Sequence, residues 1–513
     1  MADKIKTRTS QSIKNSVIAL IFYFLRLLLS FYSRKIFLEY LGTEILGLNT
    51  TAMNLLEFLN LAELGIGPAI SFSLYKPLRN KDNDTINEII SLQRHLFWRI
   101  GTIIVIGAII LMIFFPWIFS KMELPLWYAY ASFSVLLLSA VIGYFINYKQ
   151  ILLTASQQNY KITYSYGTIG LIKTCVQICV VHYMPNPYIW WLIVECIGSL
   201  LGALILSYVI RKNFPYINLV SNSFSELRIK YSIIITKTKQ LVFHKLGGYI
   251  LNQTSPLIIY AFLSLTTVAL YGNYLVIING VTALFNSVFS GMSASVGDLV
   301  SEGNKEKMLN VFNELFSIRF FLIVLLCFGI IMYSSSFIEL WIGEEYRMSA
   351  AVVWLMTANM YIILSRTTVE AYLFALGQFQ DIYSPIIEGV LNLGLSILLG
   401  YLWGLTGILS GVFISLFTMV FLWKPIFLFH WGFKISYWKY VKLYLKHIGA
   451  IIISIVIWYL LRETINIKQI HTWNQFITNT FIGCLVFGIV LFINMLLFRC
   501  EFYKSIKRII HIK

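Results

Sequence analysis

Apolar stretches long enough to cross a bilayer recur from one end of the sequence to the other. A hydrocarbon layer about 30 Å thick takes roughly 20 residues of helix. In lipid the backbone must satisfy its own hydrogen bonds, so each stretch must be a helix or a strand of a closed barrel. The runs here are continuous rather than alternating, which selects the helix. Of 513 residues, 58% are hydrophobic and 12% charged, far from the mixture of a water-soluble domain. The expected fold is an all-α integral membrane protein. The polar tail MADKIKTRTSQSIKNS has no small-residue cleavage site behind the first apolar run, so that run is expected as a retained helix.

Fourteen transmembrane helices are predicted, over 15–33, 44–72, 97–120, 124–148, 162–183, 187–210, 246–263, 266–292, 316–338, 348–376, 380–400, 403–423, 444–461 and 476–498. With the N-terminus inside and the spans alternating, the inner segments hold most of the 40 Lys and Arg. The outer loops hold only Arg34, Lys35, Lys121, Arg347, Arg462 and Lys468. That bias fits an even number of spans and cytoplasmic termini. It also accounts for the net charge of +17 through anionic lipid, with no need of nucleic acid.

A weak repeat appears at a shift of 224 residues, which carries Leu46, Asn49, Gly67 and Ser71 onto Leu270, Asn273, Gly291 and Ser295. In both places a polar-spotted helix leads into a charged inner segment and then a very apolar helix. The reading is two six-helix lobes in a pseudo-twofold arrangement, 1–235 and 236–430, with a substrate site between them. Residues 431–513 add two C-terminal helices and a basic cytoplasmic tail.

The informative residues are the charges inside the spans. Each costs roughly 2.5–3.5 kcal/mol to insert near the bilayer centre and usually faces a cavity or a partner. The cations singled out are Arg26, Lys173 and Arg366. The acids are Glu57, Glu63, Glu195, Glu370 and Glu388. Arg26 shares a face with Tyr23, Ser30 and Ser33, a polar stripe suited to a cavity wall. Glu57 lies three residues from both Asn54 and Asn60, and Glu63 precedes a Gly65-Ile66-Gly67-Pro68 helix break. Broken helices at membrane depth are tolerated where they line a cavity, and a carboxylate there suits a proton or sodium. Lys173 and Glu195 fall at similar depths on adjacent antiparallel helices and could meet, as a structural ion pair or with Lys173 at a cavity. Arg366 and Glu370, four apart, are placed to pair on one helix. Glu388 heads a stripe with Asn392 and Ser396.

The six cysteines have no zinc-ligand spacing. There is no P-loop and no HExxH or GxSxG motif, and no large outer loop for a membrane-embedded polymerase or ligase. The reading is a transporter rather than an enzyme. It needs no cofactor beyond H+ or Na+ coupling.

The segment LGTEILGLNTTAMNLLEFLNLAELGIGPAISFSLYKPL, followed by RNKDNDTINEIISLQR, resembles the N-terminal region of bacterial polysaccharide repeat-unit flippases. These are the O-antigen and capsule flippases of the multidrug/oligosaccharidyl-lipid/polysaccharide (MOP) exporter superfamily. ALYGNYLVI at 269–277, VGDLVSEGNKEKM at 296–308, FIELWIGEEYRMS at 337–349 and ALGQFQ at 375–380 extend the resemblance over 15–425. It implies two lobes around a cation-lined cavity and alternating access. The implied substrate is an undecaprenyl-diphosphate-linked oligosaccharide carried between leaflets of the bacterial inner membrane. Arg26, Lys173 and Arg366 then become candidate partners of the diphosphate, and Glu57, Glu63, Glu370 and Glu388 candidate coupling or cavity acids. The implied chain is a functional monomer, with a polysaccharide polymerase as a candidate partner. Relatives often carry an Asp in the seventh span, where this chain has Asn252 to Ser255; that shifts the coupling role toward Glu57. The competing reading is a multidrug or metabolite cation antiporter of the same superfamily, against which spans 13 and 14 argue.

Overall fold

The computed structural model describes residues 2–60, 65–220, 223–236, 238, 254–289, 292–378, 381, 383–464 and 470–501, the side chains of 2–13, 293 and 294 excepted. Among these residues the chain is helical, without strands. Eleven helices are long and apolar enough to cross a membrane by length and composition. The chain is therefore a multi-pass, all-α membrane protein. Its residues group into two compact units, 1–269 and 270–513.

In the first unit, α1 (Ala2–Leu59) joins the first two predicted spans across one non-helical residue, Gly42, at φ 82 and ψ 172. Gly reaches positive φ at little cost, and nothing before it breaks the helix. Arg34 and Lys35 therefore lie on α1, not in the expected outer loop. The predicted Gly-Ile-Gly-Pro break is present. Gly65, at φ 96, opens α2 (Ile66–Asn80), so the expected span 44–72 is two helices. Pro68 is harmless there, because the first N–H groups of a helix have no partner within it. Glu63 lies outside the described residues.

Asp82 then caps α3 (Asn83–Ile113), its carboxylate accepting from Thr85 N at 3.1 Å and from the Thr85 hydroxyl at 2.6 Å. There follow α4 (Trp127–Phe145), α5 (Asn159–Tyr183) and α6 (Pro187–Asn213). Of the predicted span 246–263, the end is described, and it is helical over 254–262.

The first limb of α1 runs parallel to α5. Asn15 Nδ2 donates to Gln157 O at 2.9 Å, Phe22 lies against Gly167, and Tyr40 meets the His182 ring. Helices α5 and α6 are antiparallel, with Lys173 against Gly198 and Tyr166 against Gly202. Small residues at these crossings permit the close approach that drives helix packing in lipid. A core of Ile70, Leu74, Ile86, Ile90, Leu152 and Leu206 ties α2, α3 and α6 together.

The second unit begins within α7 (Leu265–Val288), followed by α8 (Met292–Ser301) and α9 (Lys305–Ile342). Asn304 caps α9, accepting from Lys307 N at 3.0 Å. Helix α10 covers Ala350–Ala375. Helix α11 (Tyr383–Leu416) is a hairpin of two limbs that reverses at Trp403 and Gly404, where the sequence separates spans 380–400 and 403–423. The limbs touch at the backbone. A side chain on Gly407 would stand 1.8 Å from Leu399 O, and one on Gly411 2.4 Å from Ser396 N, so only glycine fits either position. Helices α12 (Trp438–Thr464) and α13 (Trp473–Leu497) complete the unit, around an aromatic core that includes Phe312, Phe316, Phe320, Phe429 and Phe487.

Candidate functional site

The first unit holds its membrane charges sparsely. Lys173 Nζ meets Glu195 Oε1 at 2.5 Å, as the antiparallel arrangement allows, and Gln177 Nε2 donates to Glu195 Oε2 at 2.9 Å. Both Glu195 oxygens thus have donors, and the carboxylate is satisfied in a buried position. Arg26 is different. It is exposed on the first limb of α1, with its guanidinium beside α5, where a methyl group on Gly170 would stand 3.5 Å from Nη2. Among the described residues it has neither a carboxylate nor any other hydrogen-bond partner. Glu57 is half-buried and likewise makes no hydrogen bond or ion pair among them. Its neighbours turn elsewhere: Asn54 Nδ2 donates to Thr50 O at 2.7 Å, and Asn60 Oδ1 accepts from Tyr144 OH at 3.2 Å.

The second unit gathers five of its charges into one network. Arg366 Nε meets Glu370 Oε1 at 2.5 Å, the expected pair on one helix, and Arg366 Nη1 lies 3.6 Å from Glu388 Oε1. Lys424 Nζ stands 3.9 Å from both Glu370 Oε1 and Asp381 Oδ2. The Asp381 Oδ1 atom accepts from Trp423 Nε1 at 3.0 Å. Three carboxylates face two cations. Glu388 is 1% exposed, and the Asn392 side chain one turn on is buried with neither polar atom hydrogen-bonded among the described residues. Ser396, next in the stripe, donates to Ile408 O at 3.1 Å across the hairpin.

Lys424 and Asp381 escaped the sequence reading because they lie at span ends and join the network only through helix packing. Arg319 escaped for another reason. It falls just inside the predicted span 316–338, at the edge where cations are ordinarily cytoplasmic. In the structure it is 2% exposed, with its guanidinium 4.8 and 4.5 Å from the Phe285 and Phe289 ring centres. Its Nη2 donates to Leu364 O at 3.0 Å and to the Thr367 hydroxyl. Aromatic faces and a carbonyl hold it where no carboxylate reaches it among the described residues. Asn49 was also passed over. Its Oδ1 accepts from Ser132 Oγ at 2.5 Å and from Tyr188 OH at 3.1 Å, joining α1, α4 and α6.

Comparison with solved structures identifies the fold. The chain is similar to the lipid II flippase MurJ in an inward closed conformation, with a TM-score of 0.65 and 14% identity over 96% of this chain and 99% of that one. It is also similar to an inward-facing multidrug resistance transporter of the MATE family of the MOP superfamily. There the TM-score is 0.58 and the identity 14%, over 80% of this chain and 97% of that one. The chain has the fold of the MOP-superfamily transporters. No protein-family model matches the sequence, and no curated protein matches it either.

Proposed function

We propose that this chain is a flippase that carries an undecaprenyl-diphosphate-linked oligosaccharide from the inner to the outer leaflet of the bacterial cytoplasmic membrane by alternating access, with both termini cytoplasmic. The observation that carries the reading is Arg26: a guanidinium within a membrane helix, exposed and free of any described carboxylate. Such a cation is costly unless an anion or water meets it, and a diphosphate suits its planar donors. Lys173, one turn beyond Gly170 on α5, is the second diphosphate partner once Glu195 yields it. Arg366, held by Glu370 and Glu388, is the weakest of the three candidates.

The likeness to a lipid II flippase extends over 96% of this chain, whereas that to the multidrug transporter extends over 80%. This supports a lipid-linked substrate over the antiporter reading. One observation favours the antiporter: the acid excess of the network around Arg366 and Lys424 suits a cation. In the flippase reading the same excess serves H+ or Na+ coupling. Glu388 beside Asn392 and Glu57, neither Asn392 nor Glu57 having a partner among the described residues, are the groups assigned to it.

The test is leaflet-resolved labelling of lipid-linked oligosaccharide in a strain lacking the chain. Accumulation on the cytoplasmic leaflet with loss of surface polysaccharide supports the flippase. Normal surface polysaccharide with altered drug tolerance supports the antiporter.

A further inference from the structure

The first unit holds a half-open cavity of about 170 Å³ that no charged residue among those described lines. Its walls are Asn60, Gln93, Gln150, Tyr144, Tyr148 and Phe97, with Gly67 and Gly143 between them. Two features mark it as built. A methyl group added to Gly67 or Gly143 would meet nothing within 4 Å. Both positions thus face open space that a side chain could enter, although the backbone does not demand glycine there. Gln93 is 1% exposed; its Nε2 donates to Tyr148 O at 2.7 Å, while Oε1 has no hydrogen-bond partner. A buried amide oxygen left without a donor is destabilising, so an occupant that donates hydrogen bonds belongs in this space.

The lining sets the chemistry of that occupant. Amides and phenols offer donors and acceptors without charge, and Phe97 offers a flat apolar face. This suits an uncharged polyhydroxylated ring, with hydroxyls on the amides and C–H groups on the aromatic ring. A phosphate finds no cation among the described lining residues. Depth agrees. At 1.5 Å per residue, Phe97 lies about 24 Å and Gln93 about 30 Å from the Ile113 end of α3. That distance approaches the ~30 Å of a hydrocarbon core and puts the cavity at one headgroup boundary, where the sugars of a membrane-anchored glycolipid lie.

We infer that the cavity bounded by Gly67, Gly143, Gln93 and Asn60 is a subsite for one neutral sugar residue of the transported oligosaccharide. The inference rests on the flippase reading for its substrate but not for its test. It assigns sugar recognition to the first unit, at residues other than Arg26 and Lys173: the diphosphate and the sugar would be held by different residues.

The experiment uses the purified full chain and a panel of free hexoses and N-acetylhexosamines, followed by saturation-transfer NMR. At least one is expected to bind saturably. Gly143→Leu, which fills the cavity without a clash at Cβ, is expected to weaken it about tenfold or more with unchanged thermal stability. Gln93→Leu is expected to weaken it as well; should that variant misfold, Gly143→Leu and Gly67→Ala carry the test. No saturable binding to any sugar, the result if the cavity holds only water, overturns the proposal. So does a Gly143→Leu chain that binds as the wild type does. Sugar binding in a chain that fails the leaflet assay supports the subsite and removes the flippase; a working flippase that binds no sugar does the reverse.

Discussion

The two units share one succession of elements and hold their membrane charges differently. In each, a helix breaks, a short helix follows, and a polar cap starts a long apolar helix: α2, Asp82 and α3 in the first, α8, Asn304 and α9 in the second. Among the described residues of the first unit, Arg26 stands alone and Lys173 has a single carboxylate. In the second, Arg366 and Lys424 are shared among Glu370, Glu388 and Asp381. A cation already satisfied by carboxylates gains little from a phosphate, because exchange must leave an acid unpaired. On the proposed function, this difference assigns anion capture to Arg26 and Lys173 and ion handling to the Arg366–Lys424 network; Arg319, a further buried cation of the second unit, is held by aromatic rings and a carbonyl instead.

The comparison can be broken at several places. The largest effect is expected at Arg26. Arg26→Ala removes a charge-assisted contact of about 1.5–3 kcal/mol, so transport should fall roughly 10- to 100-fold with the thermal midpoint unchanged. Arg366→Ala should do the reverse. It strands buried Glu388 and costs about 3 kcal/mol of stability, seen as a lower midpoint in detergent; Arg366→Met combined with Glu388→Met should recover most of it. A Lys173→Met chain should fall between them, with stability lowered by about 1–2 kcal/mol because Gln177 alone then holds Glu195. A full return on adding Glu195→Gln would count against any substrate role for Lys173.

The smallest effect separates the two caps. Hydrogen bonds from the Thr85 hydroxyl and then its N–H hold the Asp82 carboxyl below its usual value. The stabilisation from this cap is therefore complete above the unfolded value of about 3.9 and is lost as the pH falls through the folded one. Asn304 does not titrate. Hydrogen exchange, corrected for its intrinsic pH dependence, should show protection in the first turn of α3 weakening in acid and that of α9 holding.

Much of this was legible in the sequence because lipid imposes it. Continuous apolar runs dictated helices, Gly65 to Pro68 announced a break, and the spacing of Arg366 and Glu370 announced a pair. The Lys173–Glu195 pair was open to inference from similar depth on neighbouring helices, and it forms. What could not be read depends on packing. Arg34 looked like a loop residue because only geometry reveals that α1 continues to Gly42. Lys424 and Asp381 reach Glu370 across elements separated in sequence. Arg319 is buried among aromatic rings that no spacing rule links to it. The cavity at Gly67 and Gly143 is open space, which becomes visible only when α2, α3 and α4 are assembled.

The most direct test of the central claim places wild-type, Arg26→Lys and Arg26→Ala chains in a strain lacking the protein and follows lipid-linked oligosaccharide by leaflet-resolved labelling. The account predicts clearance from the cytoplasmic leaflet by the wild type, partial clearance by Arg26→Lys, and accumulation with Arg26→Ala at equal protein level. Equal clearance by all three would contradict it.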